Sequence, residues 1–566
     1  MAETLISAGV LARENDQSFI TQGPVTVGAA IIGPTAKGPV EIPTVVTSYS
    51  EYQNKFGSTI TSGSNVYSYF TSIAAYNYFQ NGGETLLVSR VVNGAYTAAT
   101  TTLDGEEGDV AVTFKTIGEG VLMNSSSSLN VDGSMDSGST DNVRWEVLNS
   151  NTGSGTFDLL VRRGNDTTND KSVLETWTNL SLDPFSSNYV AKRIGDQTST
   201  YTADGTSYYL QTSGAYPNAS RYIRVSAVDA TTPNYLDNSG VAKSAYTASI
   251  PVAQAGGFIS ATGDVKDAAK FYDEITSTDT QGLVGTDYTK MINLLSNSDD
   301  YKFNVLITPG LYDADYTTQL TSIISNTQNR GDNLFILDPV KHGATVTAVT
   351  SQAASRNTSY AASYWPWVQV IDPDTGRQVW VPASTLMAGV FAYNDSVSEP
   401  WFAPAGINRG GLGQVVRPER KLAQATRDTL YTNKVNPIAS FPGTGVVVYG
   451  QKTLQTKSTA LDRVNVRRLL IAMKSYIAGV AQNLVFEQNS AATRNNFLAQ
   501  VNPYLEGIQQ KQGLYAFKVV MDETNNTADV IDRNELIGQI YVQPTKTAEY
   551  IYLDFNVTPT GVAFPA

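Results

Sequence analysis

His342 is the single histidine of this chain, so a Ser-His-Asp hydrolase would have to use it as the base that titrates near neutral pH. It follows the apolar run Leu334–Asp338, and no Gly-x-Ser-x-Gly string stands anywhere to present a serine. The histidine reads as a loop residue after a strand end. The string from Gly445 through Gly450, Gln451, Lys452 and Thr453 falls one residue off a phosphate-binding loop. Gln451 displaces the lysine, and Val446 to Tyr449 reads as a buried strand, which cannot cradle phosphates. Gly410, Gly411 and Gly413 lack the spacing of a dinucleotide fingerprint. Asp372, Asp374 and Gly376 lack the distal glutamate of a calcium loop and read as a turn. One histidine excludes a His-pair metal site, and the absence of cysteine excludes disulfides, thiolate-zinc sites and thiol nucleophiles. The expectation is no enzyme, no cofactor and no metal.

Positioning elements must therefore be read for something other than catalysis. With 566 residues, 41% of them hydrophobic and 16% charged, the chain is globular and too long for one core. Its 45 glycines and 31 tyrosines lean towards strands and turns. A net charge of −13 disfavours coating nucleic acid, which needs a basic face. The opening MAETLISAGVLAREND has neither the basic stretch nor the apolar core of a signal peptide, and no run approaches the roughly 18 apolar residues of a membrane span. No nucleic acid and no membrane insertion are expected.

Several stretches have clear periodicity. Val25 to Ile32 and Thr85 to Val92 read as strands, with helices over Ser50 to Phe56 and Asn65 to Gln80, the second ending at Gly82–Gly83. From about Ala95 to Pro251 short β-like runs alternate with turns, and about 18 acidic residues face about 10 basic ones, the pattern of an inserted β-sandwich or small barrel. Asp267 to Thr276 and Thr286 to Leu295 are helix candidates. Phe303 to Thr308, Tyr316 to Asn326 and Leu334 to Asp338 read as strand, helix, strand, a βαβ unit of a parallel sheet. Helices follow over Ala344 to Ser355, Glu419 to Tyr431, Leu461 to Phe486 and Asn495 to Gln512. Leu514 to Met521 and Glu535 to Val542 then pair as a hairpin. In the Leu461 helix, Val466, Leu469, Leu470, Met473, Ile477, Val480 and Leu484 form a core stripe, with Arg463, Arg467, Arg468 and Lys474 off it. At the end, Ile551, Leu553, Phe555 and Val557 alternate with Tyr550, Tyr552, Asp554 and Asn556. Pattern alone leaves this strand open between its own domain and an arm given to a neighbouring molecule.

The wording of several ordered blocks resembles the tail sheath proteins of contractile-tailed bacteriophages. They are ISAGVLARENDQS, YFQNGGETLLVSRV, and the block Tyr364–Trp365–Pro366–Trp367 with Val381–Pro382–Ala383–Ser384 and Ala388 to Ala392. Trp401 to Gly410, GVVVYGQKTL, RVNVRRLLIAM and DETNNTADVIDRNEL continue them. Departures are Ala8, where the family usually has Pro, and Tyr449, Gln451 and Lys452, where it commonly has Trp, Ala and Arg.

The resemblance implies an α+β and α/β multidomain chain: arm 1–22, first core part 23–95, β-rich acidic outward insertion 96–255, subtilisin-like α/β region 256–410, C-terminal core 411–542, and arm strand 543–566. It implies a virion subunit, assembled in the host cytoplasm, that polymerises helically with itself around a tail tube protein. Baseplate and tail terminator proteins would be the other partners, and contraction would drive the tube through the host envelope. The swapped arms would carry Ile6, Gly9 and Val10 at one end and Tyr550, Ile551, Leu553, Phe555 and Val557 at the other. Lys421, Arg427, Arg494 and Lys511, in the more basic C-terminal part, are candidates to face the tube. Two other classes stay open: a surface-layer or adhesin-type protein, and a catalytically dead hydrolase-like binding domain.

Overall fold

A computed structural model describes residues 26–62, 65–125, 128–264, 272 and 274–550. The N-terminal part supplies β1 (Thr26–Gly33), β2 (Thr44–Val46), α1 (Tyr49–Phe56), the hairpin β3 (Thr59–Ser62) and β4 (Asn65–Ser68), α2 (Phe70–Gln80) and β5 (Leu86–Arg90). Ser48 caps α1 by accepting the Glu51 N–H. The helix expected from Asn65 begins instead at Phe70. Residues 65–68 pair antiparallel with 59–62, because the β-branched and aromatic Val66 and Tyr67 suit an extended pairing better than a first helical turn.

The chain then leaves for a lobe made of β6 (Ala98–Asp104), β7 (Val110–Glu119), β8 (Val143–Asn151), β9 (Thr156–Arg163), β10 (Val173–Ser181), α3 (Val190–Ile194), β11 (Thr198–Asp204), β12 (Ser207–Ser213), β13 (Ile223–Val228), α4 (Ser244–Thr247) and β14 (Ala255–Gly257). Sheets ordered β10-β9-β8-β14 and β13-β7-β6 enclose a hydrophobic cluster of their own, from Ala99 through Trp145, Phe157 and Ile223 to Ala261. Under the sheet lies a buried ionic group. Arg162 holds Asp166 at two points (2.8 and 2.9 Å) and reaches Glu146 at 2.9 Å, while Arg144 approaches Asp166 at 3.3 Å. The β11–β12 hairpin turns back, and its Tyr201 and Leu210 pack against the main core.

The remaining elements are α5 (Thr289–Leu294), β15 (Lys302–Tyr312), α6 (Thr317–Arg330), β16 (Leu334–Asp338), α7 (Val346–Ala354), β17 (Ala361–Trp365), β18 (Val368–Ile371), β19 (Gln378–Val381), α8 (Ser384–Val397), β20 (Val415–Pro418), α9 (Gln424–Thr432), β21 (Val435–Phe441), β22 (Gly445–Val448), α10 (Val464–Gln482), α11 (Ala491–Gln510), β23 (Leu514–Val520), α12 (Ala528–Asp532) and β24 (Gln539–Pro544). The helix candidate from Asp267 to Thr276 falls largely outside the described residues. The helix expected from Glu419 starts at Gln424, because Val415 to Pro418 is taken up as a strand against β18.

One eight-stranded sheet organises the main body in the order β2-β5-β1-β15-β16-β17-β21-β22. Pairings from β5 through β21 are parallel, and the outermost pairings, β2 with β5 and β21 with β22, are antiparallel. Every residue of β5, β16 and β17 is buried, which suits their largely apolar sequences. The chain leaves the sheet after β5 and returns as β15, on the other side of β1. Helix α6 links β15 to β16 and ends at Gly331, whose φ of 70° is a left-handed cap. Helices α2 and α8 cross closely at Gly389, where a Cβ would stand 2.8 Å from the Asn77 carbonyl oxygen. Helix α10 serves two cores: Val464 and Ile471 join the main one, while Leu469, Met473 and Val480 join a second with α11, β23 and β24.

Candidate assembly interface

The two-stranded sheet β23–β24 lies near the described end of the chain. Its register runs Phe517 to Val542 and Val519 to Ile540, and these four side chains pack on the cluster built by α10 and α11. Tyr515 and Tyr541 point outward, 62% and 57% exposed. Among the described residues neither strand has a second partner, so both outer edges carry free backbone donors and acceptors. In the eight-stranded sheet β22 is one edge strand, and Gly410 to Leu412 bond along its outer side.

Beyond β24 the chain is pinned across the gap between these two sheets. The Thr545 N–H and hydroxyl donate to the carbonyls of Gly513 (3.1 Å) and Gln512 (2.7 Å). Gln451 Nε2 donates to Thr547 Oγ1 (2.6 Å) and to Glu549 Oε1 (3.0 Å), and the Tyr431 hydroxyl donates to Glu549 Oε2 (2.8 Å). Arg463 completes the grip on Glu549 with Nε to Oε1 at 2.7 Å and Nη2 to Oε2 at 2.9 Å. Burial pushes the Glu549 carboxyl up, but the hydrogen bonds from Arg463, Gln451 and Tyr431 outweigh it and hold it below the usual carboxylate range. The same segment lines a cleft of about 1470 Å³ walled by Trp401, Phe402, Arg427, Tyr449 and Tyr515.

Of the arm residues, Tyr550 is described and 66% exposed, while Ile6, Gly9, Val10, Ile551, Leu553, Phe555 and Val557 lie outside the described residues. The four basic candidates do not share one environment. Lys421 is exposed, and Lys511 is exposed in an ion pair with Glu399 at 2.6 Å. Arg427 sits in the cleft wall over Phe441, donating to the Leu422 carbonyl. Arg494 corrects the expectation: it is only 6% exposed, because the first turn of α11 folds back so that Nη1 donates to Asn489 Oδ1 at 2.8 Å. It presents no free charge to a partner. Arg467 and Arg468, off the stripe of α10, are also buried. Arg467 lies 4.0 Å over the Tyr360 ring, and Arg468 grips Asp395 through both Nη atoms.

The tempting catalytic groups are held elsewhere. His342 lies in the loop after β16 with its ring among Trp367, Trp380 and Tyr272, and its Nε2 has no hydrogen-bond partner among the described residues. Asp338 instead accepts both the N–H (3.1 Å) and the hydroxyl (2.5 Å) of Ser384 at the start of α8. Asp372 and Thr375 close a turn between β18 and β19, and Asp374 accepts the Tyr49 hydroxyl. Among the described residues no group of carboxylates and histidine could hold a metal ion, and no helix is long and apolar enough to cross a membrane. Sequence reading missed Glu549, although it singled out the adjacent Tyr550, and it saw Gln451 as a local departure.

Two adjoining family models cover this part of the chain: the phage tail sheath protein central domain at residues 281–454 and the phage tail sheath C-terminal domain at residues 456–558. These two stretches of the chain are similar to phage tail sheath domains. The tail sheath protein of Vibrio phage KVP40 is 43% identical over 208 residues, covering 37% of this chain and 31% of its own. That of Salmonella phage ViI is 31% identical over 323 residues, 53% of this chain and 51% of its own. The chain spans about a third to a half of the length of these curated relatives. A crystal structure of a sheath tail protein from Listeria innocua aligns over 92% of this chain and 96% of its own, at TM-score 0.51 and 10% identity. That likeness concerns the fold alone, a mixed α/β arrangement of several sheets.

Proposed function

We propose that this chain is the structural subunit of a contractile phage tail sheath, polymerising helically with itself around a tail tube and contracting to drive the tube through the host envelope. The match of residues 281–558 to the sheath central and C-terminal domains carries this reading. In it, residues 1–22 and 543–566 are exchanged arms, 23–95 and 256–542 form the body with a subtilisin-like α/β region at 256–410, and the acidic residues 96–255 form an outward lobe. The open edges of β23–β24, beside a C-terminal segment already held by Arg463, favour arm exchange by strand addition. Contraction is then a change between two sets of inter-subunit contacts, with arms tethering neighbours while bodies slide, and it calls for no nucleotide or catalytic step.

Tail tube, baseplate and terminator proteins are the partners of this reading, and the virion its location after assembly in the host cytoplasm. Lys421, Arg427 and Lys511 remain the tube-facing candidates, since exposed charge pairs are individually weak and screened by salt, as a slipping surface requires. Electron microscopy of the purified chain tests the proposal: hollow striated tubes support it, whereas a flat lattice favours a surface-layer protein and persistent monomers a binding domain. Sheath–tube co-assembly indifferent to salt, from low to molar, would remove the three basic residues from the tube face.

A further inference from the structure

A cavity of about 360 Å³ lies where the acidic lobe meets the main body, and its charge is opposite to that of the chain as a whole. Five cationic side chains line it, against the two carboxylates Glu119 and Asp141. Two of the cations are committed, Lys37 to Asp141 at 3.1 Å and Lys55 to Glu51 at 2.9 Å. The other three, Arg163, Arg221 and Arg224, make no side-chain hydrogen bond or ion pair with any described residue.

Unpaired guanidinium groups are ordinary on a surface, where water serves them. Here they converge. Arg163 is close enough to Lys37 to disfavour its ammonium, on top of the burial that already pushes Lys37 down, and Arg163 and Arg221 both act on Tyr222. Arg224 is partly desolvated, which holds its guanidinium below the usual range, and Glu119 offsets this only in part. Two neutral polar groups of the wall are engaged: Ser220 donates to Glu175 Oε2 (2.6 Å), and Asn218 Nδ2 donates to the Gln197 carbonyl (2.7 Å). The three guanidinium groups present the planar fork that matches an oxyanion. Ile42, Ile117, Met123 and Leu174 add an apolar wall beside them. The volume falls in the range of small-molecule sites and exceeds what a bare phosphate fills.

We infer that this cavity binds a small organic oxyanion of the phosphate monoester class, with its anionic head between Arg163, Arg221 and Arg224 and its apolar body against Ile117 and Leu174. The site does not depend on the assembly reading, because it lies wholly within one chain.

Titration calorimetry of the full chain with phenyl phosphate, at fixed ionic strength with chloride as the replaced anion, tests it. Saturable binding at one site per chain is expected. The double variant Arg163→Gln with Arg224→Gln should weaken it by roughly tenfold or more, as loss of charged hydrogen bonds does. Arg221→Gln, at an exposed position, should weaken it too with melting unchanged, so that a misfolded double variant still leaves a clean comparison. No saturable heat with the native chain, or equal affinity in native and Arg221→Gln proteins, overturns the inference.

Discussion

Arg463 and Glu549 close on each other at two points, 2.7 and 2.9 Å, across 86 residues of sequence. The pair fixes where the chain leaves β24, and so where the last residues set out. Replacing Glu549 with Ala removes the acceptor of Arg463, Gln451 and Tyr431 together. With the pair about one-fifth exposed, the expected cost is about 1–2 kcal/mol, concentrated in residues 545–550. Hydrogen exchange should show those amides losing protection while β16 and β17 keep theirs. Because the folded Glu549 carboxyl is held below its unfolded range, its contribution is present at neutral pH and disappears as pH falls through the folded value. The native chain should thus acquire the loosened pattern in acid, and the variant should not change further.

Asp338 has the opposite sign. Complete burial raises its carboxyl to about 7 despite the two hydrogen bonds from Ser384. An unfolded aspartate loses its proton near pH 4, so between about pH 4 and 7 the unfolded chain is favoured progressively, and the penalty levels off above that. The full span is about 3–4 kcal/mol. Asp338→Asn keeps an acceptor for Ser384 and has no proton to lose. Its melting temperature should be flatter than the native one from pH 4 to 7 and higher at pH 8. Parallel pH profiles for the two proteins would show that this carboxyl does not titrate in that window.

In the lobe, Asp166 is the carboxylate that Arg162 and Arg144 share under the β8–β9 sheet. Changing it to Ala leaves Arg144 with backbone carbonyls alone and Arg162 with Glu146 as its remaining carboxylate, and with both guanidinium groups at most 1% exposed the loss is about 3–5 kcal/mol. Since the lobe has its own hydrophobic cluster, calorimetry should show one transition moving down while the other stays. A shift of the entire unfolding as one unit would mean that the lobe and body do not unfold separately, and Tyr201 and Leu210 would be the contacts to suspect.

Sequence made the parallel sheet legible because strands covered on both faces leave unbroken apolar runs, such as Phe303 to Thr308 and Leu334 to Asp338. The hairpin of β23 and β24 was legible because two runs of strand-forming residues flank the polar, turn-rich stretch from Asp522 to Asn534. The pin at Glu549 was not, since Tyr431, Gln451 and Arg463 are polar, aperiodic and up to 118 residues away. Nor was the return of β11–β12 to the body, because Tyr201 and Leu210 sit in strands whose other residues are mostly polar and exposed. Arg494 looked like surface charge from its place off any apolar stripe, yet a fold in the preceding loop buries it.

The last strand is the sharpest test of the assembly proposal. Ile551, Leu553 and Phe555 alternate with polar residues from a start that Glu549 holds beside the open edges of β23–β24. If a neighbour receives the strand, those three side chains contribute roughly 1.5–3 kcal/mol each at the joint before ordering costs, and nothing to the monomer's own core. Leu553→Asp with Phe555→Asp places two charges on the face that must be buried. The expected protein is a soluble monomer with native circular dichroism and melting temperature, forming no tubes under the microscope. A strand belonging to its own domain would respond in the other direction, because two buried carboxylates in one core would pull the monomer's melting temperature down by many degrees. That outcome would leave the similarity to sheath domains standing and remove arm exchange from the proposal.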